Sequence, residues 1–412
     1  MPGTYNKSKD LLTTAEKVEP VILARRGVLG GHAESPAEYP VFAERATGAF
    51  VHDIDGNRYM DFILGFGSVV LGHCNPDVDE AVIREIRMGI SPSLLTRRQV
   101  ELANLIIECI PGAEMVTFLR SGSDATSAAV RLARAVTGRQ RVLRWGYQGW
   151  HDWCAPRPDG IPAETRALTA RFEYNDLPGL EAAFRSSDGE VACVIMMPLE
   201  VDQPQQGYLH GVRDLCRHYG ALFILDEVRS GFRLHLGGAQ AHFSVRADLT
   251  VFSKAMANGY AISALAGPAR LMRQINRISM SSVFFRSSDG MAAALATIQC
   301  LRDSDAISRL WRLGHRFQAG LQAAASDSGV PAVVVGLPPM PHLRFGYHLE
   351  QQNVCAMRKL CEEMLKRGVL LHPNHHWFVC SAMTDEDIDT VAGQFRRAFQ
   401  AIRQNIAVET VR

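Results

Sequence analysis

A chain of 412 residues is longer than the roughly 250–300 residues over which a single core usually grows, so a large domain with a smaller companion is expected. Forty-four Lys and Arg against 43 Asp and Glu give a net charge of +1 with no long single-sign run, which argues against nucleic acid or an anionic membrane surface as partner. No run of about 18 apolar residues occurs, the first residues lack a leader's apolar core, and the nine cysteines form no CxxC pair; a soluble, cytoplasmic protein with reduced thiols is expected rather than a disulfide framework or structural zinc site.

Residues 1–20 read as a polar segment, mobile or helical. A hairpin follows, with strands at 48–53 and 57–62 around Asp55-Gly56, the pair expected to supply the positive φ angles of a tight turn. Gly65-Phe66-Gly67-Ser68 comes next, then apolar residues at helical spacing over 76–88 and 97–110. A strand at 115–119 runs into Ser121-Gly122-Ser123-Asp124-Ala125 and a helix to about Val136. A small hydroxyl-bearing loop at a helix start presents free N–H groups and the positive dipole end to a phosphate, although Ser and Asp there are also ordinary caps. After a strand at 141–145, Gly146 to Trp153 is rich in aromatic residues, and 154–168 reads as a long loop, a lid candidate. A helix at 178–185, a buried strand at 191–197 and a helix at 211–219 lead to the centre of the chain.

That centre is 221–254. Ala221 to Leu225 is a continuous apolar run ending on Asp226 and Glu227; Leu249 to Phe252 repeats the pattern, and Lys254 follows one residue later. In an open parallel sheet the carboxyl ends of strands line the ligand crevice, so both charges are expected there. An edge ion pair is one reading. The other is pyridoxal phosphate, which takes a Lys as Schiff base and an Asp against its pyridinium nitrogen. Beyond it come a strand at 262–267 and helices at 268–278 and 289–301. Long helices at 306–326, 352–367 and 385–404, with short strands near 331–335, 342–347 and 377–381, end the chain. Thr384 to Asp387 has the pattern of a capping box. His372, His375 and His376 have no suitably spaced Cys or carboxylate, so a substrate contact or polar turn is preferred and no metal site is expected.

The words LDEVRSGFR, GGAQA, DLTVFSKAMANGY and SALAG resemble class III pyridoxal-phosphate aminotransferases, especially the subgroup similar to glutamate-1-semialdehyde aminomutase, from about Pro40 to about Gly393. The resemblance implies an α/β chain of PLP-dependent transferase fold type I: a mostly parallel central sheet in a large domain at 66–305, with 1–65 and 306–412 contributing a smaller α+β domain, in a homodimer with its active site at the interface. It implies Lys254 and Asp226 as catalytic residues. Gly122 and Ser123 would hold the phosphate, Tyr147 would stack on one ring face and Val228 pack on the other. Where the family has His after that Tyr this chain has Gln148, and Met197 stands where the family often has Glu. Val283 takes the place of a Thr that in the family reaches the neighbouring subunit's phosphate; either a neighbouring serine, with Ser282 the candidate, substitutes or the cross-subunit hydroxyl is absent. Phe66, Arg229 and His375 are the substrate candidates. The aminomutase's carboxylate-holding Arg has no counterpart in 27–37, so glutamate-1-semialdehyde is not the expected substrate. Transfer of an amino group between an amino donor and an aldehyde or ketone is the expected reaction. An aminomutase, epimerase or decarboxylase on the same cofactor, or an inactive scaffold, are the alternatives.

Overall fold

The structure is a computed structural model that describes residues 5–20 and 42–409, with side chains as far as Arg403. It divides into two compact units, Met1–Asn75 with Ser308–Arg412, and Pro76–Ile307.

The first unit begins with a helix, Asn6–Ala15, whose first amides at Lys7 and Ser8 are accepted by the Asp55 carboxylate. Strands β1 (Ala43–Thr47), β2 (Phe50–Asp53) and β3 (Arg58–Asp61) form an antiparallel meander. The β2–β3 turn departs from the expected one. Only Gly56 takes a positive φ (90°), because the Asp53 carboxylate, accepting the backbone and side-chain N–H of Asn57, closes a four-residue connection instead.

The second unit is built on seven strands: β4 (Met115–Leu119), β5 (Arg141–Trp145), β6 (Thr169–Arg171), β7 (Val191–Met196), β8 (Leu222–Asp226), β9 (Leu249–Phe252) and β10 (Ser263–Gly267). Their order is β4-β10-β9-β8-β7-β5-β6, parallel except for β10, which runs antiparallel to both β4 and β9. The continuous apolar runs of β7 and β8 are explained by cover on both faces. Cys193, Ile195, Leu222 and Ile224 pack with Ala125, Ala129 and Leu132 of the helix Gly122–Thr137; Val194, Met196, Phe223 and Leu225 pack with Leu180 and Phe184 of the helix Leu177–Arg185 and Val212 and Cys216 of the helix Tyr208–Tyr219. The expected helix at 268–278 is broken into a four-residue turn, Ala269–Met272, and a 3-10 segment, Arg273–Arg277. The 154–168 loop contains one short helix, Ala163–Ala167.

The chain then returns to the first unit with a hairpin, β11 (Ala332–Leu337) and β12 (Met340–Phe345), and a two-residue strand, β13 (Val369–Leu370), parallel to β3. Helices Ala306–Ser328, Glu350–Leu365 and Asp385–Glu409 accompany them. The expected strand at 377–381 does not form. Its amides go to scattered carbonyls instead: Trp377 to Pro341, Phe378 to Phe62 and Ser381 to Val70. Among the described residues no helix is long and apolar enough to cross a membrane, and all nine cysteines are free thiols.

Candidate active site

Asp226 is the last residue of β8, and the period-2 alternation of a strand puts it on the same face as Leu222 and Ile224, the face covered by the helix Gly122–Thr137. It is 3% exposed, and its Oδ1 accepts the Val228 N–H at 3.1 Å. Burial pushes its carboxyl up to about 6, although that hydrogen bond and the Lys254 charge pull the other way. Lys254 lies just beyond the neighbouring β9 and opens a 3-10 turn, Lys254–Ala257. Its φ of 48° is left-handed, a conformation that costs a non-glycine residue about 1–3 kcal/mol and gathers at functional sites. Desolvation, then the Arg229 charge, brings its ammonium down to about 8, with Asp226 acting against the shift. The two groups therefore sense each other across adjacent parallel strand ends.

On the same face the helix Gly122–Thr137 begins with a reciprocal cap. Ser121 Oγ accepts the Asp124 N–H at 3.2 Å, and Asp124 Oδ2 accepts the Ser121 N–H at 2.8 Å. This cap leaves the amides of Gly122 and Ser123 without an acceptor among the described residues, at the positive end of a 16-residue helix. A Cβ at Gly122 would sit 3.0 Å from Val228 Cγ1, so glycine lets the helix start come down onto Val228. Two unused amides, a buried carboxyl and an amine with a lowered pKa suit a phosphate, a protonated ring nitrogen and a carbonyl carbon respectively, so these residues fit pyridoxal phosphate.

Tyr147 follows Gly146 (φ 88°), is 60% exposed and donates its N–H toward Met197 Sδ at 3.3 Å. Gln148 points the opposite way. It is buried, donates Nε2–H to Trp145 O at 2.6 Å and accepts from Arg144 Nη1 at 3.2 Å. The amide is thus a partner for a buried guanidinium, which explains a Gln at this place. Glu227 is also turned inward: its carboxylate accepts Ser230 Oγ–H at 2.9 Å and the amides of Ala239 and Gln240, while burial lifts it to about 7.

Arg229 is engaged by the chain itself. Nη2 donates to Leu199 O at 2.8 Å, Nη1 lies 3.9 Å from Glu200, and burial brings the guanidinium down to about 10. Ser282 lies on the wall of a groove of about 790 Å³ with Ser91, Leu95, Val100 and Val283, and its Oγ accepts the Phe284 N–H at 3.3 Å. Phe66 and His375 belong to the other unit, where their rings lie 5.2 Å apart beside His372 and Phe378. Sequence reasoning missed how Phe66 is presented. Residues 64–67 all have positive φ, a left-handed turn whose entry is capped by Asp61 Oδ1 accepting the Ile63 and Leu64 amides. Glycines flanking Phe66 were the available signal. The 27–37 segment lies outside the described residues. Among the described residues no group of His, Cys, Asp and Glu could hold a metal ion.

A doubly covered, mostly parallel sheet with a Lys and an Asp at neighbouring strand ends defines a pyridoxal-phosphate transferase of fold type I. The aminotransferase class-III family model matches residues 32–152 and 159–399, and the chain belongs to that family. It is 36% identical to the 3-aminobutyryl-CoA aminotransferase of Cloacimonas acidaminovorans (strain Evry) over 97% of this chain and 98% of that protein. It is 32% identical to the glutamate-1-semialdehyde 2,1-aminomutase of Desulfitobacterium hafniense (strain DSM 10664 / DCB-2) over 91% and 96% of the two chains. Among solved structures it superposes on the PLP internal aldimine form of the FumI protein of Sphingopyxis sp. MTA144 with a TM-score of 0.92, 31% identity and 98% coverage of both chains. The protein is a pyridoxal-phosphate-dependent aminotransferase.

Proposed function

We propose that Lys254 and Asp226 carry the amino transfer, and the observation that supports this most directly is their pairing at the ends of β9 and β8. Pyridoxal phosphate, when bound, supplies the electron sink for the substrate's Cα–H electrons. Lys254 Nζ would be the group that holds the cofactor's carbonyl carbon and that moves the substrate's proton. Desolvation and the Arg229 charge bring its ammonium down to about 8, which favours the neutral amine that a base requires. Asp226, whose carboxylate is oriented by the Val228 amide, holds a proton on the ring nitrogen. Gly122 and Ser123 donate to the phosphate, Val228 and Tyr147 take the ring's faces, and the 76–307 unit is the cofactor-binding domain.

For the substrate we favour an amine on an acyl thioester over a free carboxylate such as glutamate-1-semialdehyde. The relative named a 3-aminobutyryl-CoA aminotransferase is matched over almost the whole chain, and Arg229, a candidate carboxylate clamp, is engaged by Leu199 and Glu200. A thioester carbonyl is uncharged and needs no such clamp. The test is turnover of 3-aminobutyryl-CoA with a panel of keto-acid acceptors, beside glutamate-1-semialdehyde; conversion of the semialdehyde to 5-aminolevulinate at the higher kcat/KM would overturn the assignment.

A second copy of the chain is proposed for the groove lined by Leu95, Val100 and Val283, because these apolar side chains are 64–75% exposed, and exposed apolar surface of this kind marks interaction sites. Ser282 on that wall is the candidate hydroxyl for the neighbour's phosphate. Nine free thiols accord with a cytoplasmic setting.

A further inference from the structure

The loop that bears Tyr147 is fastened to the first turns of the helix Gly122–Thr137 by several independent bonds. Buried Thr126 donates its hydroxyl to Gln148 O at 2.6 Å. Ser127 Oγ lies 2.7 Å from His151 Nδ1 and accepts the Trp153 indole N–H at 2.8 Å. His151 Nε2 faces Asp124 Oδ1 at 3.9 Å, and Asp124 is the residue that closes the helix cap. Contact is also tight along the backbone. Gly149 has a φ of 116°, and a Cβ there would overlap Ser123 Oγ and come within 2.8 Å of Ser123 Cβ.

The indole N–H only donates, so it occupies a lone pair of Ser127, and His151 Nδ1 is the acceptor left for the Ser127 hydroxyl proton. With Nδ1 accepting, the imidazole proton is assigned to Nε2, toward Asp124. Such a chain joins Trp153, Ser127, His151 and Asp124 into one network. Tyr147, by contrast, is 60% exposed.

We propose that His151 is a positioning residue that locks the Tyr147 loop to the helix presenting Gly122 and Ser123, so that a ring contact and the phosphate contacts are carried on one rigid body. This rests on the assignment of those residues to pyridoxal phosphate. The network spends its ordering cost during folding, and cofactor binding is spared it.

The test uses holoenzyme and follows cofactor loss on dilution through its visible band, visible-region circular dichroism, and the melting of the apoenzyme. His151→Ala and Ser127→Ala lose cofactor about tenfold faster, as expected for one lost hydrogen bond, and weaken the dichroism, while the apoenzyme still folds and melts only about 2–4 °C lower. His151→Asn, whose Oδ1 can take the Ser127 proton, behaves as wild type. Wild-type loss rates in both Ala variants would overturn the proposal, and so would an Asn variant as impaired as Ala. Absence of a visible band in the wild type would instead overturn the cofactor assignment beneath it. Should His151→Ala fail to fold, Ser127→Ala tests the same bond from its other end.

Discussion

Asp226 and Lys254 are both held at the expense of the apoprotein. The carboxyl titrates near 6 in the fold against 3.8 in an unfolded chain. Between those values the native state binds the extra proton, so stability falls as pH rises from about 4 to 6 and the penalty is then constant. The ammonium titrates near 8 rather than 10.5; the unfolded state binds more protons across that window, so its penalty is present below 8 and is relieved as pH rises toward 10.5. From about 6 to 8 both groups are ionised and both penalties apply. The apoenzyme of Asp226→Asn should therefore melt higher than wild type above pH 6 and the same below pH 4, with Glu227, whose carboxyl near 7 is raised in part by the Asp226 charge, adding to the gain above pH 7. A difference of the same size at both ends would show that desolvation of Asp226 is not the cause. Lys254→Ala should lose turnover by several orders of magnitude while remaining folded and able to hold cofactor noncovalently; near-wild-type transamination would remove Lys254 from the mechanism.

At the scale of elements, the capping box at Ser121 and Asp124 both starts a helix and frees the two amides assigned to phosphate. Ser121→Ala should cost about 1 kcal/mol of stability, a melting shift of about 2–4 °C, and should weaken cofactor binding as the first turn frays; a shift in melting with unchanged cofactor affinity would separate the cap from the phosphate contact. The elements around this helix were legible in the sequence where physics is local. Strands β7, β8 and β9 announced themselves as continuous apolar runs because both faces are covered, and Asp226 and Lys254 could be placed at their ends for that reason. What was not legible depends on hydrogen-bond partners that an apolar pattern does not mark, some distant and some only a few residues away. The 377–381 segment is apolar like a strand, yet its amides find carbonyls in three separate places. The left-handed turn at 64–67 needs the Asp61 carboxylate to cap it, and the inward rotation of Gln148 needs Arg144. Arg229 looked available because neither Leu199 nor Glu200 is near it in sequence.

For the whole molecule the decisive surface is the wall of the 790 Å³ groove, where Val283 is 75% exposed and Leu95 69%. An isolated chain would leave these residues, with Leu94 at 81%, in water, at a cost of about 25 cal/mol for each Å² of apolar area that could be covered. Light scattering of the wild type should give twice the chain mass at micromolar concentration. Val283→Asp places a charge where the partner would have to desolvate it without a counter-ion, and should shift the equilibrium toward single chains by tenfold or more, for a penalty of about 1–3 kcal/mol. Should the partner's hydroxyl complete the phosphate site, cofactor loss would accelerate with dissociation, and Val283→Thr would slow it without altering the mass. A wild-type protein that scatters as a single chain would reject the interface outright. A dimer whose Val283→Asp variant keeps its mass and its cofactor would place the interface on another face and leave the groove without an assigned occupant.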